Sequence, residues 1–269
     1  MKNYLTYPCK VMNITQGYKG NTSHAPHNTG SPKDYPWDEA CENTGRSPMY
    51  CPCDEMILKR KYTKGTNTLW FESTTPVYFA DGTSDYVTLL VTHPNDSDVA
   101  RLKEGQKFKR DELICYEGTD GNATGNHFHF AVGKGKIKGN GWAQNSKGKW
   151  VLTTANGSKK PETMFFIDPE FTNTIKKTQG IKFKNLPKED FFDGKGYFKY
   201  GQTHENIGKI AEWMHNKYPL YTPESALGNY FGKNLLGAVK EYQRRRGLEA
   251  DGNIGPLTLA DMVKNGFKY

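Results

Sequence analysis

Over roughly its first 172 residues this chain is cut into short runs of β-branched and aromatic residues by clusters of Gly, Asn, Asp and Pro. That rhythm is expected of an antiparallel β domain with long loops. The runs Thr68–Ser73, Tyr86–Thr92, Leu113–Tyr116 and His127–Val132 are its predicted strands. The stretch IKKTQGIKFKNLPKEDFFDGKG then breaks the pattern without a clean period, and residues 173–194 read as a linker. Beyond it Ile207, Ile210, Trp213 and Met214, then Leu235, Leu236, Val239 and Tyr242, recur at helical spacing. Pro256 suits the first turn of a last short helix. The expected fold class is therefore multidomain α and β: a mostly antiparallel β domain over 1–172, followed by a small three-helix domain over 195–269.

At 269 residues there is room for one medium and one small domain. Mean hydropathy is low, at -0.80, but aromatics at 13% are spread along the chain, enough to build compact cores rather than a disordered coil. No run approaches the ~20 apolar residues that span a bilayer, so membrane insertion is not expected. The opening MKNYLTYPCKVMNITQGY lacks an apolar h-region, so synthesis in the cytoplasm without a signal peptide is expected. A net charge of +8 favours anionic partners. The basic residues are scattered and no nucleic-acid motif appears, so nucleic acid is not the expected partner. Five cysteines are an odd number without disulfide-scaffold density and fit a reducing place of synthesis.

Chemistry concentrates in the histidines. Five of the seven lie in the first domain: His24, His27, His93, His127 and His129. In GTDGNATGNHFHFAVGKG the strand period places His127 and His129 on one face and Phe128 and Phe130 on the other. At that spacing one imidazole binds a metal while its neighbour reaches a water held there. The Gly/Asn-rich loop before it permits close approach of a substrate backbone. Two further segments supply candidates: SHAPHNTGSPKDYPWDEA, with His24 or His27 and Asp34 or Asp38, and YVTLLVTHPND, with His93 at a strand end. Two imidazoles, one carboxylate and an open fourth position make a catalytic zinc site. Other zinc patterns fail: His204-Glu205 opens like HExxH but position 208 is Gly, and Cys51-Pro-Cys53 has no matching pair downstream. Cys41, Cys51 and Cys53 read as packed free thiols, with a second metal site as the alternative.

The ordered set of an early His…Asp, a lone middle His and a late HxH on a strand resembles the lysostaphin-type zinc endopeptidases. LKEGQKFKRDELICYEGTDGNATGNHFHF is also similar to that family's approach to its HxH, and the resemblance covers roughly residues 13 to 135. It implies Zn2+ held by His24, Asp38 and His129, with His127 as general base. His93 is implied as a second catalytic imidazole that polarises water or stabilises the oxyanion. The choice of His24 and Asp38 rests on Ser-His and Tyr-Pro-Trp-Asp, which look like the family's Ser-His and Tyr-X-X-Asp. His27 and Asp34 are then left as solvated or turn-capping residues. The His-to-Asp spacing is longer than in the shortest members, and DEACENTGRSPMYCPCDE stands where compact members continue directly into a strand.

AVKEYQRRRGLEADGNIGPLTL resembles the peptidoglycan-binding domain of bacterial and phage wall hydrolases, through Val239, Tyr242-Gln243, Gly247-Leu248, Asp251-Gly252, Ile254-Gly255 and Thr258-Leu259. Most of these residues are expected to hold the fold, and Arg244, Arg245 and Arg246 to be a solvated face. Together the two resemblances imply a peptidoglycan hydrolase, a zinc endopeptidase cutting stem peptides or cross-bridges. A monomeric phage or prophage endolysin acting at the wall after release is expected. The alternatives are a non-catalytic wall-binding protein with a decayed site and a zinc-dependent N-acetylmuramoyl amidase.

Overall fold

The computed structural model describes residues 2–19, 23–40, 45–171, 174–187 and 191–268. The chain divides into two compact units, Met1–Leu186 and Pro187–Tyr269.

The first unit is built on a nine-stranded sheet among the described residues. Its strands are β1 (Val11–Gln16), β2 (Trp37–Glu39), β3 (Glu55–Tyr62), β4 (Thr68–Ser73), β5 (Val87–Thr92), β6 (Lys107–Lys109) and β7 (Phe128–Lys134). A hairpin, β8 (Ile137–Gln144) and β9 (Trp150–Thr154), follows, then β10 (Ser158–Lys159) and β11 (Thr174–Lys177). Spatial order is β11-β1-β2-β7-β5-β4-β3-β6, with β10 also on β7; β1 pairs with β11 in parallel and the other pairs are antiparallel.

Side-chain alternation gives this sheet two different faces. Trp37, Leu69, Phe71, Leu89, Val91, Phe128 and Phe130 enter the main core. Each such side chain contributes about 1.5–3 kcal/mol by leaving water. Trp70, Leu90 and Ala131 point the other way and form a smaller core with Leu152, Tyr62, Ile137 and Trp142, so the β8–β9 hairpin covers part of that second face. Where the hairpin stops, one row of the second face stays polar. Gln16, Asp38, His129, Thr92 and Thr68 are successive cross-strand partners over five strands.

The second unit holds helices α2 (Glu205–Lys217), α3 (Lys233–Arg245) and α4 (Pro256–Lys264), with a 3-10 turn at Glu224–Ala226; a short helix in the first unit, α1 (Ala25–Thr29), precedes them. Ile207, Ile210, Met214, Leu235, Val239, Tyr242 and Met262 fill its core. Gln243 is buried and ties the Asp251-Gly252 turn together: its amide donates to Asp251 Oδ1 (2.8 Å), the Asn253 carbonyl (2.8 Å) and Thr258 Oγ1 (3.1 Å), and accepts from Gly252 N–H (2.8 Å). Arg244 and Arg245 pair with Glu241, and Arg246 with Asp261.

Of residues 173–194, read from sequence as a linker, the described ones divide between the units. Thr174–Lys177 pairs with β1 and Lys184–Asn185 with Phe166–Ile167, while Phe191 and Phe192 enter the helical core. Parallel pairing through backbone groups leaves little side-chain alternation to read in such short strands.

Candidate metal centre and its imidazoles

Asp38 lies in β2 directly opposite His129 in β7. Its Oδ1 is 3.1 Å from His129 Nδ1 and 3.2 Å from His24 Nε2. His24 stands at the N-cap position of α1, with no side-chain capping bond, and Pro26 lies in the first turn. One ligand atom from each of His24, Asp38 and His129 lies within 4.8 Å of the others, the one such group of metal-ligating side chains among the described residues.

The donor set fits zinc. Ligand bonds of about 2.0–2.2 Å in a tetrahedron place neighbouring donors roughly 3.4 Å apart, close to the two separations from Asp38 Oδ1. Two imidazole nitrogens and a carboxylate oxygen also leave one corner of the tetrahedron to water or substrate. Asp38 is ready as an anion. Burial pushes its carboxyl up, but hydrogen bonds and charge from His129 and His24 outweigh that and hold it well below the usual carboxylate range.

Residues behind these three fix their orientation. Gln16 Nε2 donates to Asp38 Oδ2 (2.8 Å), and Gln16 Oε1 accepts from Ser23 Oγ (2.9 Å), next to His24. Gln16 therefore links the strand carrying Asp38 to the segment carrying His24, the outer support that metal ligands commonly have. The sequence signal for it was slight: a Ser beside His24, and a Gln at a strand end.

His93 follows the last residue of β5 and takes a left-handed backbone, φ 82. Its Nδ1 is 2.7 Å from the Asp120 carbonyl, and His127 Nδ1 is 2.8 Å from the Gly125 carbonyl. A carbonyl only accepts, so both Nδ1 atoms carry a proton, and in the neutral ring the lone pair is on Nε2. Burial, then the neighbouring His127 and His129, lower the pKa of His93 to about 4. The His93 and His127 rings lie 4.5 Å apart, and His93 is 6.2 Å from the ring of His129. Gly118 permits this approach: a Cβ there would stand 2.4 Å from the His93 carbonyl oxygen and 2.6 Å from Asn95 N. Gly118 also bridges to His127.

The structure thus brings all five candidates, His24, Asp38, His93, His127 and His129, to one region. The competitors fall differently. His27 is buried beside the group, its ring 6.1 Å from His24 and 5.7 Å from His129, and burial lowers its pKa to about 3. Asp34 stands outside the His24, Asp38 and His129 group, its Oδ2 4.0 Å from His27 Nδ1. Its carboxylate accepts from Ser158 Oγ, Leu152 N–H (3.2 Å) and Tyr35 N–H (2.8 Å), so it is a buried anchor of β9 rather than a solvated residue. Cys51 and Cys53 are buried free thiols, Cys51 Sγ lying 3.3 Å from the carbonyls of Cys53 and Phe108. Cys41 lies outside the described residues. His204, which opened the HExxH-like string, accepts from Asn206 N–H (3.1 Å) as the cap of α2.

A cleft of about 610 Å³ opens onto the region, with His27, Thr68, Thr92, His93 and His129 among its lining residues. Tyr62, Trp142 and Trp150 also line it, together with Arg60 and Lys64.

Comparison with known proteins finds partial likenesses. The chain is 31% identical over 138 residues to Morphogenesis protein 1 of Bacillus phage B103, covering 51% of this chain and 34% of that protein. It therefore spans about a third of the length of that relative. Among solved structures it is similar to a zinc-containing peptidase from Vibrio cholerae, at 26% identity and TM-score 0.33 over 49% of this chain and 36% of that one. A putative peptidase M23 from Pseudomonas aeruginosa aligns at 17% identity and TM-score 0.28, over 55% and 51%. Residues 209–262, inside the helical unit, match the family model described as a putative peptidoglycan binding domain, which supports peptidoglycan as what this unit binds.

Proposed function

We propose that the first unit is a zinc-dependent endopeptidase that cuts peptide bonds in peptidoglycan stems or cross-bridges. The observation that carries this reading is the convergence of His24, Asp38 and His129 beside the Nδ1-anchored imidazoles of His93 and His127, with His93 and His129 lining one cleft. Zinc held by the three would supply Lewis acidity toward a water and the scissile carbonyl. His127 Nε2 takes the proton of the attacking water and returns it to the leaving amine, a role suited to an imidazole. His93 is neutral, with its proton on Nδ1, so its Nε2 accepts a hydrogen bond and orients the water. In that state it has no Nε2 proton to offer an oxyanion. The peptidoglycan-binding match over 209–262 supports peptidoglycan as the polymer, with the helical unit holding the enzyme on it. The likeness to a phage morphogenesis protein supports a phage or prophage setting; synthesis in the bacterial cytoplasm and action at the wall are part of the same proposal.

The test is incubation of the full chain with purified peptidoglycan, with a chelator, and with zinc restored. Solubilisation that stops with chelator, returns with zinc and releases new amino termini without reducing ends is expected. Retained sedimentation with the wall but no cleavage under any condition would refute the peptidase.

A further inference from the structure

The cleft that opens on the histidines is lined farther along by aromatic rings that none of the chemistry above uses. Trp150, at the start of β9, is 54% exposed, unusual for the largest apolar side chain. Its ring stands 5.1 Å from that of Trp142 at 39°. Trp142 is in turn braced edge-on by Tyr62 (5.0 Å, 68°) and Trp70 (4.9 Å, 87°). Trp70 is locked from below, its Nε1–H donating to the Gly141 carbonyl at 3.0 Å. The exposed indole therefore rests on a stack of held rings, and binding costs it little conformational entropy.

The surroundings narrow the ligand. Arg60 lies over the rings of Trp70 and Trp142, at 5.0 and 5.8 Å, and Lys64 lines the same cleft. Two cations beside the platform disfavour an amine seeking the ring face by cation–π attraction. Stem peptides of peptidoglycan carry no aromatic side chains to stack there. The remaining partner in such a polymer is a pyranose, whose axial C–H bonds present a flat apolar face while its hydroxyls stay solvated.

We propose that Trp150, braced by Trp142, is a stacking platform for an N-acetylated amino-sugar ring, so that the cleft recognises a stem peptide still joined to its glycan strand. The identity of the polymer rests on the peptidase reading above. The stacking does not, and it is tested separately.

In the full chain labelled with 5-fluorotryptophan, the resonance absent from Trp150→Phe is that of Trp150. Titration with the N-acetylglucosamine tetramer should shift it saturably. An unmoved resonance would overturn the proposal, whether or not the protein hydrolyses anything. In parallel, Trp150→Ala should raise KM roughly tenfold for a cross-linked stem peptide carrying its disaccharide, the scale of losing one well-packed aromatic contact. kcat should hold, the same peptide without sugar should be cut as by the parent, and Trp150→Phe should recover most of the loss. Equal effects on both substrates would overturn the sugar platform and leave a general wall of the cleft. Failure of the parent to cut either substrate would instead count against the peptidase, with the fluorine titration still deciding the platform.

Discussion

Two histidines two residues apart are asked to do different work. His129 shares Asp38 with His24, whereas His127 is hydrogen-bonded through Nδ1 to a loop carbonyl, which puts the lone pair of its neutral ring on Nε2. His127→Ala should therefore keep stoichiometric zinc while turnover falls by about 10²–10⁴-fold. His129→Ala should lose zinc and turnover together. Metal analysis beside the rate of amine release checks both, and a His127→Ala protein with full activity would remove it from the chemistry. Gly118 offers a second test, because a Cβ there meets backbone atoms at 2.4–2.6 Å and the His93 and His127 segments must part. Gly118→Ala should cost about 1–3 kcal/mol of stability, the usual scale of overpacking. It should also depress kcat more than zinc affinity, read from denaturant melts and zinc titration. At this scale the sequence was most informative about parity: alternation alone separated His127 and His129 from Phe128 and Phe130. It was silent on His93's left-handed backbone, since nothing in YVTLLVTHPND requires φ 82 there.

Pairings between elements explain what sequence left open. Asp34 and Asp38 were equal candidates until a resemblance chose between them, because β2 reaches β7 across 91 residues of chain and no local pattern announces that register. Once paired, Asp38 faces His129, while Asp34 is spent on holding the β8–β9 hairpin through Leu152 and β10 through Ser158. Asp34→Ala should leave zinc bound but strand the Leu152 amide without its acceptor. A buried donor left so costs about 1–3 kcal/mol. The expected result is a lowered melting temperature with unchanged zinc stoichiometry, and loss of zinc would return Asp34 to the ligand set. The aromatic wall was not legible for a similar reason. Tyr62, Trp70, Trp142 and Trp150 come from four strands, and only the fold of the hairpin over the second face brings them together.

For the whole molecule, the contacts divide between Leu186 and Pro187, and each unit has its own apolar core. Expressed separately, residues 187–269 should fold, by cooperative thermal unfolding, and sediment with peptidoglycan. Residues 1–186 should keep zinc and cut soluble stem peptide, yet sediment with the wall less than the full chain. A helical unit that stays in the supernatant would reassign wall binding to the first unit. The helical period of 207–214 and 235–242 made this unit readable in sequence, because its contacts are mostly local. The sheet unit, assembled from distant strands, was readable only as a set of strands.

The row Gln16, Asp38, His129, Thr92, Thr68 carries one more consequence. Because strand side chains alternate, a slip of one residue between β2 and β7 would turn Asp38 into the apolar core and bring Trp37 or Glu39 to face His129. If the site takes zinc as proposed, metal capture would proofread strand alignment in one direction: a slip that sets Trp37 against His129 would remove the carboxylate from the site and leave the chain inert from the start.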